Sequence, residues 1–313
     1  MASDPTQVAP RLIALGETMA MITPARAESL ATADELRLHT GGAESNVASH
    51  TASLGIPSAW VSAVGDDVLG ERVRREVAGR GVDVQWVLVD DQAPTGVYFK
   101  DPGRGVLYYR RGSAASRLSP ASVEGVPLEA AGVVHVSGIT PALSDSCAAL
   151  MDAVIARVAT ADPVLSFDVN HRASLWEHGV ASGVLLSLAR RADLVFVGLD
   201  EAQDLWPVET AADVRALIPQ PARLVVKDGA VGATEFASNL DGHDDVTFVP
   251  AIPTEVVEAV GAGDAFAGGY LAALLNGEDA TGRLLGGHRR AHLVLQSTSD
   301  FVIVQGKDHD HDR

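Results

Sequence analysis

Val133-Val-His-Val-Ser-Gly138, Pro163-Val-Leu-Ser-Phe-Asp-Val169, Asp193-Leu-Val-Phe-Val-Gly198 and Arg223-Leu-Val-Val-Lys-Asp-Gly229 are four short apolar runs, each succeeded by a segment compatible with a helix. Strands that alternate with helices imply right-handed crossovers and an open parallel sheet with helices on both faces. Ligands of such a sheet bind beyond the carboxyl ends of its strands. The residues just past the four runs are therefore the first site candidates: Gly138, Asn170 with Arg172, Glu201, and Asp228 with Gly229.

Outward from this block, residues 11–15 (RLIAL) read as a first buried strand ending at Gly16-Glu17, and 34–39 (DELRLH) as a short alternating strand. A helix is expected after Gly41-Gly42, carrying Asn46 through to Leu54 and stopped by Gly55-Ile-Pro. Residues 59–64 read as the next strand and 66–79 as a helix capped by Asp66. From 83 to 112 the pattern changes to short alternating strands separated by Pro and Gly turns, with no helix between them. These strands, with those near 34–40, are expected to form a small sheet beside one α/β domain spanning 1–313. The end, Lys307-Asp-His-Asp-His-Asp-Arg313, reads as a disordered charged tail over about 306–313 rather than a metal site.

Composition agrees with an α/β class: 47% of the residues are apolar but only 5% aromatic, so Ala, Val and Leu must fill the core. A net charge of −17 opposes association with nucleic acid and anionic membranes, and leaves an anionic small molecule only where arginines or helix N-termini cluster. The single cysteine, Cys147, excludes an internal disulfide framework and lies in an Ala/Leu-rich stretch that favours inert packing. No apolar run reaches the roughly 18 residues needed to span a bilayer, and the N-terminus lacks a signal pattern. A cytoplasmic protein is expected.

Chemistry concentrates in Gly261-Ala-Gly-Asp264-Ala-Phe-Ala-Gly-Gly-Tyr270, ahead of the helical run LAALL. Glycines before a helix let successive N–H groups aim at one point, where the helix N-terminus adds about half a positive charge. Asp264 then falls in the first turn, able to face a substrate hydroxyl. Phosphoryl transfer needs this pair of features, donors for the phosphoryl oxygens and a base for the alcohol. The competing reading, that the glycines serve helix packing and Asp264 caps the helix, predicts no cleft here. A Walker loop is excluded because GxxxxGK[ST] occurs nowhere, and a dinucleotide fingerprint would need glycine where Phe266 stands.

The run Glu258–Tyr270 resembles the C-terminal signature of the ribokinase-like, PfkB-type carbohydrate kinases. So do Gly16-Glu17, Gly41-Gly42-Ala43-Glu44-Ser45-Asn46-Val47-Ala48, Val64-Gly65-Asp66-Asp67 and Lys227-Asp228-Gly229-Ala230, in that order along the chain. The resemblance implies ATP and Mg²⁺, an α/β domain with a β lid closing over the sugar, and a homo-oligomer through that lid. It implies Asp264 as general base, the backbone of Gly261, Ala262 and Gly263 as anion hole, and Lys227, Gly229, Gly232, Gly261 and Gly263 beside ATP. Glu201 takes the acidic position associated indirectly with the metal, although Gly198 stands where asparagine is usual. Glu258 replaces the common aspartate of a monovalent-cation (K⁺) loop, which leaves that ion open, and Gly287-His-Arg-Arg290 offers no adenine-facing asparagine.

Within the family, Gly41–Asn46, Tyr108–Ala114, Val136–Leu143 and Asp168–Arg172 are similar to 2-keto-3-deoxygluconate kinases. That likeness implies substrate contacts from Gly42, Asn46, Tyr98, Tyr108, Arg110 and Arg172. Physically, a carboxylate in a partly dry pocket needs fixed charged donors, which two arginines supply, while tyrosines offer hydroxyls and flat faces. Bland alternatives are tyrosines that fill the lid sheet, an exposed Arg110-Arg111 edge pair, and an Arg172 ion pair with Asp168 or Glu177. A neutral-sugar or nucleoside kinase, and a silent sugar-acid sensor, are the remaining functional alternatives.

Overall fold

The apolar runs do line up side by side. The protein, as a computed structural model, is described over residues 9–26, 28–297 and 299–302. The chain opens with β1 (Leu12–Leu15), β2 (Met19–Pro24), β3 (Leu36–Gly41), α1 (Ala43–Ala52), β4 (Ser58–Gly65), α2 (Val68–Gly79) and β5 (Val87–Asp90). It continues through β6 (Val97–Asp101), β7 (Gly105–Tyr109), β8 (Val133–Ser137), α3 (Asp145–Val158), β9 (Val164–Asp168), α4 (Ala181–Ala189) and β10 (Leu194–Gly198). The last part holds α5 (Leu199–Leu205), α6 (Ala211–Leu217), β11 (Arg223–Asp228), β12 (Gly232–Ser238), β13 (Asp244–Pro250), α7 (Ala262–Leu275) and α8 (Ala280–Leu295).

The main sheet has nine strands in the order β13-β12-β11-β10-β9-β8-β1-β4-β5. From β11 to β5 every neighbouring pair is parallel, and β12 and β13 close the other edge antiparallel. The central strands β1, β4 and β8 are buried along their whole length, which is why they read as continuous apolar runs. Alternate residues feed two cores. Ile13, Leu15 and Phe167 pack with Leu150, Val154 and Leu185 of α3 and α4, while Leu12, Trp60 and Phe196 pack with Val47, Val73 and Tyr270 of α1, α2 and α7.

A second sheet, β3-β2-β6-β7, stands beside this domain as a lid. Its inner face carries Met19, Met21 and Tyr98, with Val106 and Tyr108 packed against them. The structure corrects the sequence reading in three places. The run at 87–90 pairs parallel with β4 and is the edge of the main sheet, not a lid strand. The lid takes instead Met19–Pro24, whose mixed apolar pattern shows no clear alternation. Asp67, not Asp66, caps α2: its carboxylate accepts from the amides of Leu69 and Gly70 at 3.0 and 2.7 Å. The tail at 306–313 lies outside the described residues. Cys147 is fully buried and burial pushes its thiol up, as inert packing requires.

Candidate active site

The carboxyl ends of β9, β10 and β11 and the N-terminus of α7 surround one cleft of about 790 Å³. Gly261 precedes α7 with φ +87°, a left-handed conformation that turns the chain into the helix. The first amides it releases are committed locally where they can be: Ala262 donates to Ala259 O at 3.3 Å and Ala265 to Gly261 O at 2.9 Å. Among the described residues no acceptor takes the N–H groups of Gly263 and Asp264. Both residues line the cleft, and amides of this kind at a helix N-terminus can serve an anion. Lys227 faces the same point, since a Cβ on Gly263 would lie 3.6 Å from its Nζ.

Asp264 sits partly exposed at this mouth, and Asn46 Nδ2 on α1 donates to its Oδ2 at 3.0 Å. Two elements distant in sequence thus fix the carboxylate's rotamer. Burial pushes the Asp264 carboxyl up to about 7, opposed by Asn46 and Arg172 and reinforced by Asp168 and Asp300. A carboxylate titrating there is matched to abstracting an alcohol proton near neutrality.

Lys227 Nζ lies 3.1 Å from Asp168 Oδ2. Burial works against its ammonium, but Asp168 and Glu201 outweigh that and hold its pKa raised. Glu201 accepts from the amide of Gly198 at 3.1 Å and also from that of His171, so its carboxylate braces the loop after β9. Asn170 in that loop adopts φ +39°, the one non-glycine positive φ among the described residues, and lines the cleft. Strain of this kind persists where the surroundings over-determine it, commonly at ligand sites.

The structure brings Tyr108, Arg172, Lys227, Gly229, Gly232, Glu201 and Gly261–Asp264 onto the cleft. Gly42, Asn46, Tyr98 and Arg110 lie behind that surface. Gly42 is the N-cap of α1, where a Cβ would meet Glu17 O at 2.4 Å. Tyr98 is buried with its ring 5.7 Å from that of Tyr108, and its hydroxyl packs on Gly41. The two arginines expected to converge on an acid are differently placed. Arg172 is exposed at the cleft with no ion pair among the described residues. Arg110 is buried against Glu17, with Nε 2.6 Å from Oε2, and Ser113 Oγ donates to the other oxygen at 2.5 Å. Its positive charge is already matched.

Sequence reasoning gave no role to Glu17, Glu44 or Asp300, and to Asp168 only an ion pair with Arg172, in place of which it pairs with Lys227. Asp300 comes after α8 and pairs with Lys100 of β6 at 2.8 Å, both buried, tying the C-terminal segment to the lid beside Gly261. Nothing in the sequence around 300 announces this, whereas Glu17, Glu44 and Asp168 stand inside the motifs already singled out. Glu258 turns back to accept from the amides of Ala259 and Val260 at 3.0 and 3.2 Å, so it braces its own loop.

The cleft also fits a nucleotide with its metal. It is lined in addition by Ile252, Pro253, Val256, Val260, Ala291 and Leu295, apolar side chains suited to a planar base. Among the described residues no three metal-binding side chains converge; Asp168, Asp200, Glu201, Asp204 and Asp264 line the cleft, with Asp168 and Glu201 beside Lys227. That pair suits Mg²⁺, which is typically held by one or two carboxylates together with phosphate oxygens.

Comparison with known proteins agrees with this geometry. A 2-dehydro-3-deoxygalactonokinase of Haloferax volcanii is 32% identical over 94% of this chain and 93% of its own. A 2-dehydro-3-deoxygluconokinase of Thermoproteus tenax is 33% identical over 97% and 91%. The crystal structure of a PfkB protein from Polaromonas sp. JS666, 31% identical, superposes with a TM-score of 0.84 over 93% of this chain and 97% of that one. The model of the pfkB family carbohydrate kinases matches residues 9–302, and the chain belongs to that family.

Proposed function

We propose that the protein transfers the γ-phosphoryl group of ATP to a hydroxyl of a sugar acid, first among them 2-keto-3-deoxygluconate, giving 2-keto-3-deoxy-6-phosphogluconate. The observation that carries this is the Asp264 carboxylate, held by Asn46 at 3.0 Å in the cleft beside unpaired helix amides. Asp264 takes the proton of the attacking hydroxyl, and Asn46 holds its carboxylate on line. The amides of Gly263 and Asp264, with the Lys227 ammonium, stabilise charge on the transferring group. Mg²⁺, when bound, would supply further neutralisation of the phosphates, and Asp168 and Glu201 would hold it directly or through water. Arg172 is the uncommitted cation for the sugar carboxylate, and Tyr108 offers it a wall.

One observation favours a neutral sugar instead: Arg110 is neutralised by Glu17, which leaves Arg172 as the free arginine among the described residues lining the cleft. A coupled ADP-release assay decides between the readings. It should give turnover with 2-keto-3-deoxygluconate or its galactonate epimer and little with fructose, ribose or nucleosides. Turnover confined to neutral sugars, or none with any acceptor, would defeat the proposal.

The outer face of the lid leaves Leu36, Leu107 and Tyr109 at 51%, 51% and 66% exposure, and we propose that a second copy covers them. Light scattering should find a dimer that Leu107→Asp with Tyr109→Asp converts to monomer. A wild-type monomer at micromolar concentration would refute it. Among the described residues no helix is long and apolar enough to cross a membrane.

A further inference from the structure

Two fully or nearly buried carboxylates stand behind the base, and only one has a cation. Glu17 is matched by Arg110. Glu44, fully buried in the first turn of α1, accepts a hydrogen bond from Ser137 Oγ to Oε1 at 2.6 Å and is aided by its own backbone amide, while its Oε2 has no partner. Gly16 closes over it so tightly that a Cβ there would lie 2.1 Å from the carboxyl carbon. The charged groups that face it are Asp264 on α7 and Arg110 after β7, with Glu17 adjoining Gly16. An ionised carboxylate in this position is a buried charge served by one hydroxyl and its own amide, whereas the protonated form carries no charge to solvate. Burial accordingly pushes its pKa up to about 7, with Ser137 opposing.

Building on the sugar-acid reading, we infer that Glu44 is the group that takes up a proton as an anionic sugar enters, so that acid binding and protonation of Glu44 are one linked event. The proton comes from solvent and settles on the carboxylate, and no bond of the sugar changes. Glu44 touches no reacting atom; it is a positioning residue that sets the charge behind the site. An anion brought near a carboxylate raises its affinity for a proton, and by reciprocity the proton raises affinity for the anion. Well below pH 7 Glu44 is already protonated and nothing is taken up. Above it, each acid bound carries in about one proton, and affinity weakens by up to about tenfold per pH unit. A neutral sugar brings no charge and no such linkage.

Calorimetry of the whole protein with ADP present, titrated with 2-keto-3-deoxygluconate at alkaline pH in two buffers of different ionisation heat, counts that proton without turnover. Proton uptake is expected in wild type and should persist in Asp264→Asn, and Glu44→Gln should lose a share approaching one proton. The wild-type count stands whether or not the variant folds. No uptake in wild type, or uptake that survives Glu44→Gln but vanishes in Asp264→Asn, overturns the inference and leaves the sugar-acid kinase standing. Failure of wild type to bind the acid at all overturns the sugar-acid reading, and the inference with it.

Discussion

Asp264→Asn should lose on the order of 10²–10⁴ in turnover at neutral pH under saturating ATP and sugar acid. The substitution keeps the size of the side chain and its place in the first turn of α7, so the anion hole survives. The acceptor for the alcohol proton is lost. Because Asn46 Nδ2 donates to Oδ2 at 3.0 Å, the new amide can present its carbonyl to the same donor and remain in position. Folding should therefore change little, and the loss should appear in kcat with KM for ATP nearly unaltered. A variant that keeps a near-normal kcat would remove Asp264 from the role of base.

Glu17→Ala should destabilise the protein by about 3–5 kcal/mol, because it strands Arg110 as an uncompensated buried charge. Arg110 is only 8% exposed, and beyond Glu17 it has the ring of Tyr108, 5.6 Å from the guanidinium carbon, and the Glu44 carboxyl, with no ion pair to it. Ser113 loses its acceptor in the same step. A urea melt measures the effect, and the double variant Glu17→Ala with Arg110→Met should recover a large part of it. If the single variant melts with wild type, Arg110 has found other partners and is not committed to Glu17. The same result would return Arg110 to the pool of cations free for a sugar carboxylate.

Strong local rules made most of the fold legible. β8 to β11 are continuous apolar runs because both faces of the sheet are covered, and each site loop comes where a parallel sheet requires. Gly261–Asp264 was readable because a left-handed glycine and a helix N-terminus leave a local signature. Two features were not. Strand β5 lies in the same stretch of short strands without helices as β6 and β7, so only pairing with β4 separates Val87–Asp90 from the lid. Arg110 looked like a substrate cation because its partner Glu17 lies 93 residues away in sequence, with strands β2 to β7 and helices α1 and α2 between them. Ion pairs of that separation have no local signature, and neither does the contact of Asp300 with Lys100 across 200 residues.

The most direct measurement is the single-turnover rate of phosphoryl transfer as a function of pH. A base whose carboxyl titrates at about 7 is protonated and idle in acid, so the rate should climb roughly tenfold per pH unit below that value and level off above it. Asp264→Asn should lose the slope together with the rate. A wild-type rate flat from about pH 5.5 to 8.5, with chemistry shown to be the step observed, would contradict Asp264 as the group that deprotonates the acceptor.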